Sequence, residues 1–398
     1  MNRSLSSSGL TILVFFTILS STSAATGTPR KHRRHVATTA TKAVTVRAVT
    51  ATHKAAIVRK AVPVPLGAGE PIIRGGPWTE PTYADSTKGD NVDGEDLVIR
   101  RAAVEALGDF NGSVVVVDSS NGRILTIVNQ KSALSSGFQP CSTIKVSVAL
   151  SGLSEKVITS QNKMRLPGLG KIDLTYALAH SNNFYFATLG EKMGFEKVSY
   201  YAHLFGYGEK AGLNVPGEQP GHYPEAPPKN GGVGMLTSFG EEIQQTPLQL
   251  AALLSSIANG GTLYYLQYPR NQQEVQHFIP RVKRRLDIGS LIPLVIPGMR
   301  GAVEFGTAHR AREDGPIAGK TGTCTDNQTH LGWFGSFNEV GDKKLVMVVL
   351  LTGGRPAIGP LAAGIAGDIY RRLGEQKYFA SASAMAPASL VSSQICCK

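Results

Sequence analysis

Four consecutive valines constrain the fold more than any other feature of this chain. Ser113-Val114-Val115-Val116-Val117-Asp118 is an unbroken β-branched run and reads as a buried strand. Ser119 to Gly122 ends in Asn-Gly, the signal of a tight reversal, and Arg123 to Val128 returns as a second strand. Strands reappear only late, as Ile317 to Cys324, Leu331 to Phe337 and Leu345 to Leu351, joined by short polar turns. The text between is helical. Its clearest helix has Pro247 in the first turn behind Thr246, with Leu250, Leu253, Leu254 and Ile257 on one face. Asn259-Gly260-Gly261 ends it. Pro360 opens a last helix with Leu361, Ile365, Ile369 and Leu373 along one side and Gly374 as its stop. Two strands, a helical block, three strands and a helix fit an α+β fold. The expected architecture is an αβα sandwich: a five-stranded antiparallel sheet flanked by helices, with an inserted all-helical subdomain.

The ends of the chain read differently. Arg3 precedes an apolar run from Leu10 to Leu19, and Ser21 to Ala25 are small residues. That is a secretory signal over residues 1–24, too short to span a bilayer comfortably. Arg30, Lys31, Arg33 and Arg34 follow the run, on the wrong side for a retained anchor, so cleavage near Ala24 is expected and a tether is the other outcome. The expected location is extracytoplasmic, in a periplasm or cell envelope. Before Glu70 no acidic residue occurs, and Lys and Arg there supply ten of the net twelve positive charges. The basic Ala/Thr/Val-rich stretch from Thr26 to Val64 reads as a spacer, or as a contact for an anionic wall or membrane surface. Export argues against nucleic acid. Residues 25–100 are therefore expected to be basic low-complexity sequence and then a Pro/Gly/Asp-rich linker, 101–375 the folded domain, and 376–398 a disordered Ala/Ser-rich tail. Four cysteines make no disulfide-dense scaffold. With neither a C-x-x-C pair nor an H-E-x-x-H helix, no metal site and no cofactor are expected.

Three short segments carry chemistry. In Gln139-Pro140-Cys141-Ser142-Thr143-Ile144-Lys145-Val146, a helix starting at Ser142 places Lys145 one turn on, along the same face. A serine hydroxyl needs a base, and a lysine serves as one only when neutral. Apolar neighbours and a second cation would push its pKa down. Ser160 with Lys163 matches the same spacing, so the pattern alone is weak. His180-Ser181-Asn182-Asn183 supplies S-x-N, in which Ser181 could relay a proton and Asn183 could donate to a substrate amide. Ser119 with Asn121 and Ser336 with Asn338 also fit, and a helix cap or polar loop is the plain alternative. Gly319-Lys320-Thr321-Gly322-Thr323 lies on the first late strand, where Gly322 admits a peptide backbone close by. This segment imitates a phosphate-binding loop, but Asp314 stands where that loop needs its first glycine.

In the order S-x-x-K, S-x-N, K-T-G, these segments resemble the transpeptidase domain of penicillin-binding proteins, over roughly residues 110 to 375. Gly206-Tyr207-Gly208 leading to Val215-Pro216-Gly217-Glu218 is similar to that family too. So are Thr246-Pro247-Leu248-Gln249-Leu250 running into Asn259-Gly260-Gly261-Thr262, the segment from Gly301 to Ala308, and Gly332-Trp333-Phe334. The resemblance implies Ser142 as acylated nucleophile, Lys145 as general base and Ser181 as proton shuttle. Lys320 would assist them, Asn183 would position substrate, and Lys320, Thr321 and Thr323 would bind a terminal carboxylate. The amides of Ser142 and Thr323 would form the oxyanion hole. The implied substrates are D-Ala-D-Ala stem peptides of peptidoglycan, with transfer to an amine or to water, and β-lactams as mimics. Full-length cross-linkers of the family carry a large N-terminal module, so a stand-alone catalytic domain, or one relying on a partner, is expected here.

Two other functions use similar text. A serine β-lactamase needs a deacylating base. No E-x-x-L-N occurs, Glu209 with Leu213-Asn214 being one residue too widely spaced, although carboxylation of Lys145 would supply one. A β-lactam sensor or wall-binding scaffold would need no turnover. Cys141 and Cys324 flank the two core motifs and read either as small buried residues or as a disulfide bracing the site. His180, adjacent to Ser181, reads as a loop or surface histidine, because neighbours on a helix point apart.

Overall fold

The computed structural model describes residues 78–380, apart from 160, 314, 340 and 342. The expected signal, the basic stretch, the linker up to residue 77 and the tail beyond residue 380 lie outside the described residues.

The sheet has the five expected strands: β1 (Gly112–Asp118), β2 (Arg123–Val128), β3 (Ile317–Asp326), β4 (Thr329–Asn338) and β5 (Leu345–Gly353). Their order is β2-β1-β5-β4-β3, every pair antiparallel. The valine run is uninterrupted because both of its faces are covered. Val114 and Val116 pack with Ile99, Ile365 and Ile369, while Val115 and Val117 pack with Leu250, Leu254 and Ile124. All four are fully buried, each contributing about 1.5–3 kcal/mol through the area removed from water.

Helices α1 (Leu97–Leu107) and, late in the chain, α9 (Gly359–Glu375) cover one face. Between β2 and β3 lies the helical block. Its longer members are α2 (Lys145–Ser154), α3 (Leu174–Ala179), α4 (Asn183–Met193), α5 (Phe195–Leu204), α6 (Gly232–Phe239), α7 (Pro247–Ala258) and α8 (Ile292–Glu304). Helix α7 lies on the second face. Its start is a capping box: Gln249 N donates to Thr246 Oγ1 at 3.1 Å and Thr246 N donates to Gln249 Oε1 at 2.8 Å. Among the described residues no helix is long and apolar enough to cross a membrane.

Three boundaries differ from the sequence reading. Helix α9 runs through Gly374 to Glu375, where Arg372 pairs with Asp368 and Arg371 with Glu375 along its last turns. Tyr378 and Phe379, placed by that reading in the tail, are packed: Tyr378 donates to Asp96 Oδ2 at 2.8 Å, and Phe379 lies 6.4 Å from the Tyr370 ring. Residues 78–100, expected as linker, are built into the fold. Arg100, one turn into α1, donates to Asp90 at 2.7 Å, Glu95 at 3.3 Å and the Ile127 carbonyl at 2.7 Å. Glu95 in turn accepts from Thr126 Oγ1, the Ile127 amide and Tyr268 Oη. The segment is anchored by hydrogen bonds rather than apolar area, so its polar composition imitates a linker.

Removing the Glu95 carboxylate leaves Arg100 buried with half its charge partners. Glu95→Ala is expected to lower the unfolding free energy by about 3–5 kcal/mol. Denaturant melting should show a lower midpoint at an unchanged slope. A loss below about 1 kcal/mol would mean the network contributes no more than a surface pair.

Candidate active site

The segment that carries Ser142 is not the α-helix expected from its spacing. Cys141–Ile144 is a turn of 3₁₀ helix, and α2 begins only at Lys145. In a 3₁₀ turn residues three apart eclipse, so the spacing still brings the two side chains together. Lys145 Nζ lies 2.6 Å from Ser142 Oγ. Lys145 is fully buried and Ser142 is 8% exposed.

The second segment arrives from the loop between α3 and α4. Ser181 holds a left-handed φ of 55°, and Asn182 caps α4 by accepting from Tyr185 N at 2.9 Å. This turn presents Ser181 and Asn183 to the lysines. Lys145 Nζ donates to Asn183 Oδ1 at 2.6 Å and to the Ser181 carbonyl at 3.3 Å, and lies 3.4 Å from Ser181 Oγ. Asn183, expected to face a substrate amide, therefore spends its carbonyl oxygen on Lys145.

The third segment is strand β3, at the sheet edge. Lys320 Nζ donates to Ser181 Oγ at 2.8 Å and to the Thr321 carbonyl at 2.9 Å. Ser181 Oγ thus touches both lysines. Thr321 Oγ1 lies 2.6 Å from Thr307 Oγ1, and exposed Thr323 accepts from Gly359 N at 2.8 Å. Ser142, Lys145, Ser181, Asn183 and Lys320 form one connected cluster, with Thr321, Gly322 and Thr323 along the adjoining strand.

Two buried ammonium groups this close are electrostatically costly. Burial first, and the charge of Lys320 second, hold Lys145 well below the ordinary lysine pKa. Burial alone brings Lys320 down to about 7. The rings of Phe186 and Phe239, with centroids 5.9 and 5.6 Å from Lys145 Nζ, exclude water while stabilising what charge remains. The hydrogen-bond partners of Lys145 are serine and asparagine oxygens, and none is a carboxylate.

Gly322 also serves a contact within the fold. A Cβ there would meet the Pro140 carbonyl at 2.9 Å and Thr143 Cγ2 at 3.2 Å. The partner on that side is the turn that carries Ser142. Gly240, at φ 69°, receives Pro140 from the other side, where a Cβ would lie 2.3 Å from its Cγ. Trp333 Nε1 donates to the Gln139 carbonyl at 3.0 Å. Sequence reasoning missed Phe186, Phe239, Gly240 and Thr307 as site residues, since none belongs to a motif, although Thr307 lies within the Gly301 to Ala308 segment.

The cysteines are bonded to each other. Cys141 and Cys324 form a disulfide with Cα atoms 5.6 Å apart, so they are not merely two small packed side chains. Cys141 is fully buried, Cys324 half-buried. His180 is exposed and stacks on Tyr176 and Phe305, with centroids 4.3 and 5.8 Å away.

Comparison with known proteins matches residues 112–371 to the family model described as the penicillin binding protein transpeptidase domain. Stage V sporulation protein D of Bacillus subtilis is 27% identical over 280 residues, covering 62% of this chain and 43% of that protein. Peptidoglycan D,D-transpeptidase MrdA of Haemophilus influenzae is 23% identical over 361 residues, covering 67% of this chain and 54% of the relative. The chain spans about half the length of such relatives. A crystal structure of Pseudomonas aeruginosa PBP2 in complex with WCK 5153 shares the fold. It superposes with a TM-score of 0.60 at 22% identity, covering 74% of this chain and 81% of that one.

The contact at Gly322 is testable by itself. Gly322→Ala must displace the Pro140 carbonyl, and overpacking of this kind costs about 1–3 kcal/mol. Thermal unfolding should show that loss, whereas an unchanged midpoint would mean that the turn has room to move.

Proposed function

The chain belongs to the penicillin-binding protein transpeptidase family, and from that premise we propose that it is a peptidoglycan D,D-transpeptidase acting by serine acyl transfer. The observation that carries this reading is the 2.6 Å approach of Lys145 Nζ to Ser142 Oγ, in a pocket where burial and Lys320 disfavour the ammonium. Neutral Lys145 takes the Ser142 proton as the serine oxygen attacks the carbonyl of a D-Ala-D-Ala stem peptide. Ser181, in contact with both lysines, passes a proton to the departing D-alanine amine. Lys320, Thr321 and Thr323 hold the terminal carboxylate, and the amides of Ser142 and Thr323 receive the developing oxyanion. Asn183 orients Lys145 through its oxygen and the substrate through its NH₂ group. The acyl group then passes to an amine, which makes a cross-link, or to water, which trims the stem. Such a substrate lies outside the cytoplasm, in agreement with the signal read at Leu10 to Leu19.

A β-lactam enters the same sequence of steps and leaves a slowly hydrolysed ester on Ser142. A β-lactamase would need a base for fast deacylation, and the absence of a carboxylate among the partners of Lys145 favours the transpeptidase.

Intact-protein mass after addition of benzylpenicillin should show one adduct equivalent that persists on the wild type, and none on Ser142→Ala. An adduct that vanishes quickly while drug is consumed would make the protein a β-lactamase. No adduct on the wild type would point to a binding role.

The base is tested by pH. A lysine whose pKa is depressed in the site gains its neutral form as pH rises through that value. Acylation should therefore climb about tenfold per pH unit on the acid limb and then level. Lys145→Arg, charged at every accessible pH, should lose at least about 10²-fold. A rate that falls as pH rises, or a Lys145→Arg variant that acylates at the wild-type rate, would remove Lys145 from the role of base.

A further inference from the structure

The Cys141–Cys324 bond joins the residue before Ser142 to the residue after Thr323, positions 183 apart in sequence. Building on the acyl-transfer reading, we propose that this disulfide is a positioning element of the site. It holds the Ser142 turn against strand β3, and opening it slows acylation without unfolding the protein.

Cys141 has a φ of 51°, in the left-handed region that a non-glycine residue occupies only where its surroundings over-determine it. Ser142 takes its direction from that residue. The hydrogen bonds that tie this turn to Trp333 and Phe239 attach upstream of Cys141, and downstream of it Thr143 packs against Gly322. Trp333 Nε1 and Gln139 Nε2 bond through Gln139, the first to its carbonyl at 3.0 Å and the second to the Phe239 carbonyl at 3.2 Å. Pro140 packs on Gly240 and Gly322. These contacts survive loss of the bond, so the turn stays docked. What is lost is the constraint on the backbone that aims Ser142 Oγ at Lys145 Nζ.

The chemistry of opening follows from burial. Cys324 is the more accessible partner, so a small dithiol attacks its Sγ as thiolate. A mixed disulfide forms there, and Cys141 leaves as a thiolate that takes up a proton. The second thiol of the reductant then displaces Cys324 and departs as a cyclic disulfide. Two electrons and two protons pass from the dithiol to the cysteines. An oxidising space outside the cytoplasm would keep the bond closed.

The test compares acylation by benzylpenicillin in three samples of the full chain: oxidised wild type, wild type treated with dithiothreitol, and C141A/C324A. Misplacement of a reacting atom by about 1 Å costs about 10²-fold, so the acylation rate constant should fall by that order on reduction. The pre-acylation dissociation constant should change little, and re-oxidation should restore the rate. C141A/C324A should match the reduced wild type and ignore the reductant. Amide exchange over residues 140–146 should quicken in both. An unchanged rate on reduction overturns the proposal, as does loss of far-UV helical signal, which would make the bond a stability element instead. If oxidised wild type forms no adduct, the acyl-transfer reading fails, and exchange alone then decides the staple: equal protection in the two redox forms overturns it.

Discussion

The rest of this structure answers to one unfavourable arrangement, a fully buried lysine beside a serine with a second buried lysine close enough to repel it. An isolated ammonium in apolar surroundings loses its hydration, and the group responds by releasing its proton. Both lysines are lowered from an ordinary 10.5. The sign for stability follows directly. The unfolded chain would bind these protons below pH 10.5 and the folded chain resists them, so both groups cost stability as pH falls toward their folded values. A fold that tolerates this needs walls that do not relax. Relaxation would admit water or a carboxylate, and Lys145 would become an ordinary charged residue.

The walls come from three parts of the chain that meet because of the sheet. Strand β3 is an edge strand, hydrogen-bonded to β4 on one side only, and the turn of Ser142 packs on its face, where a Cβ at Gly322 would meet the Pro140 carbonyl at 2.9 Å. Contact at that distance requires Gly322, and Gly359 approaches from α9, where a Cβ would lie 2.7 Å from the Gly322 carbonyl. The helical block supplies Ser181 in a left-handed conformation, over which Lys145 and Lys320 converge. Small residues here admit close approach, and the large ones, Phe186, Phe239 and Trp333, seal what the approach leaves open.

Much of this was legible in the sequence because the signals are local. The β-branched run at Val114 to Val117 and the three late apolar runs mark strands, since a strand covered on both faces has no polar alternation to confuse it. The capping box at Thr246 lies within four residues. The motif serines and lysines were legible by order and spacing. What escaped was non-local. Asp90 and Glu95 look like linker residues until Arg100, Thr126 and Tyr268 surround them. Nothing local to Gly322 announces that Pro140 packs on its Cβ side. No residue near Phe239 in the chain marks it as part of a site, and Thr307 had only the Gly301 to Ala308 segment to point to it, because their neighbours there come from other elements. The pairing of Cys141 with Cys324 is of the same kind, since spacing alone left it open beside plain burial.

The connectivity inside the cluster constrains what its members do. Ser142, Lys145, Ser181 and Lys320 form a chain in which hydroxyls and amines alternate, with contacts of 2.6, 3.4 and 2.8 Å. Alternation matters because a hydroxyl both donates and accepts, whereas two adjacent ammonium groups could exchange nothing. With the lysines lowered by burial, their proton affinities come closer to those a relay needs at neutral pH than free lysines would. Asn183 adds an acceptor, not a charge, and so orients Lys145 without restoring its pKa as a carboxylate would. A carboxylate in its place would hold Lys145 protonated. The choice of an amide at that position is therefore as much a part of the site's chemistry as the lysine it touches.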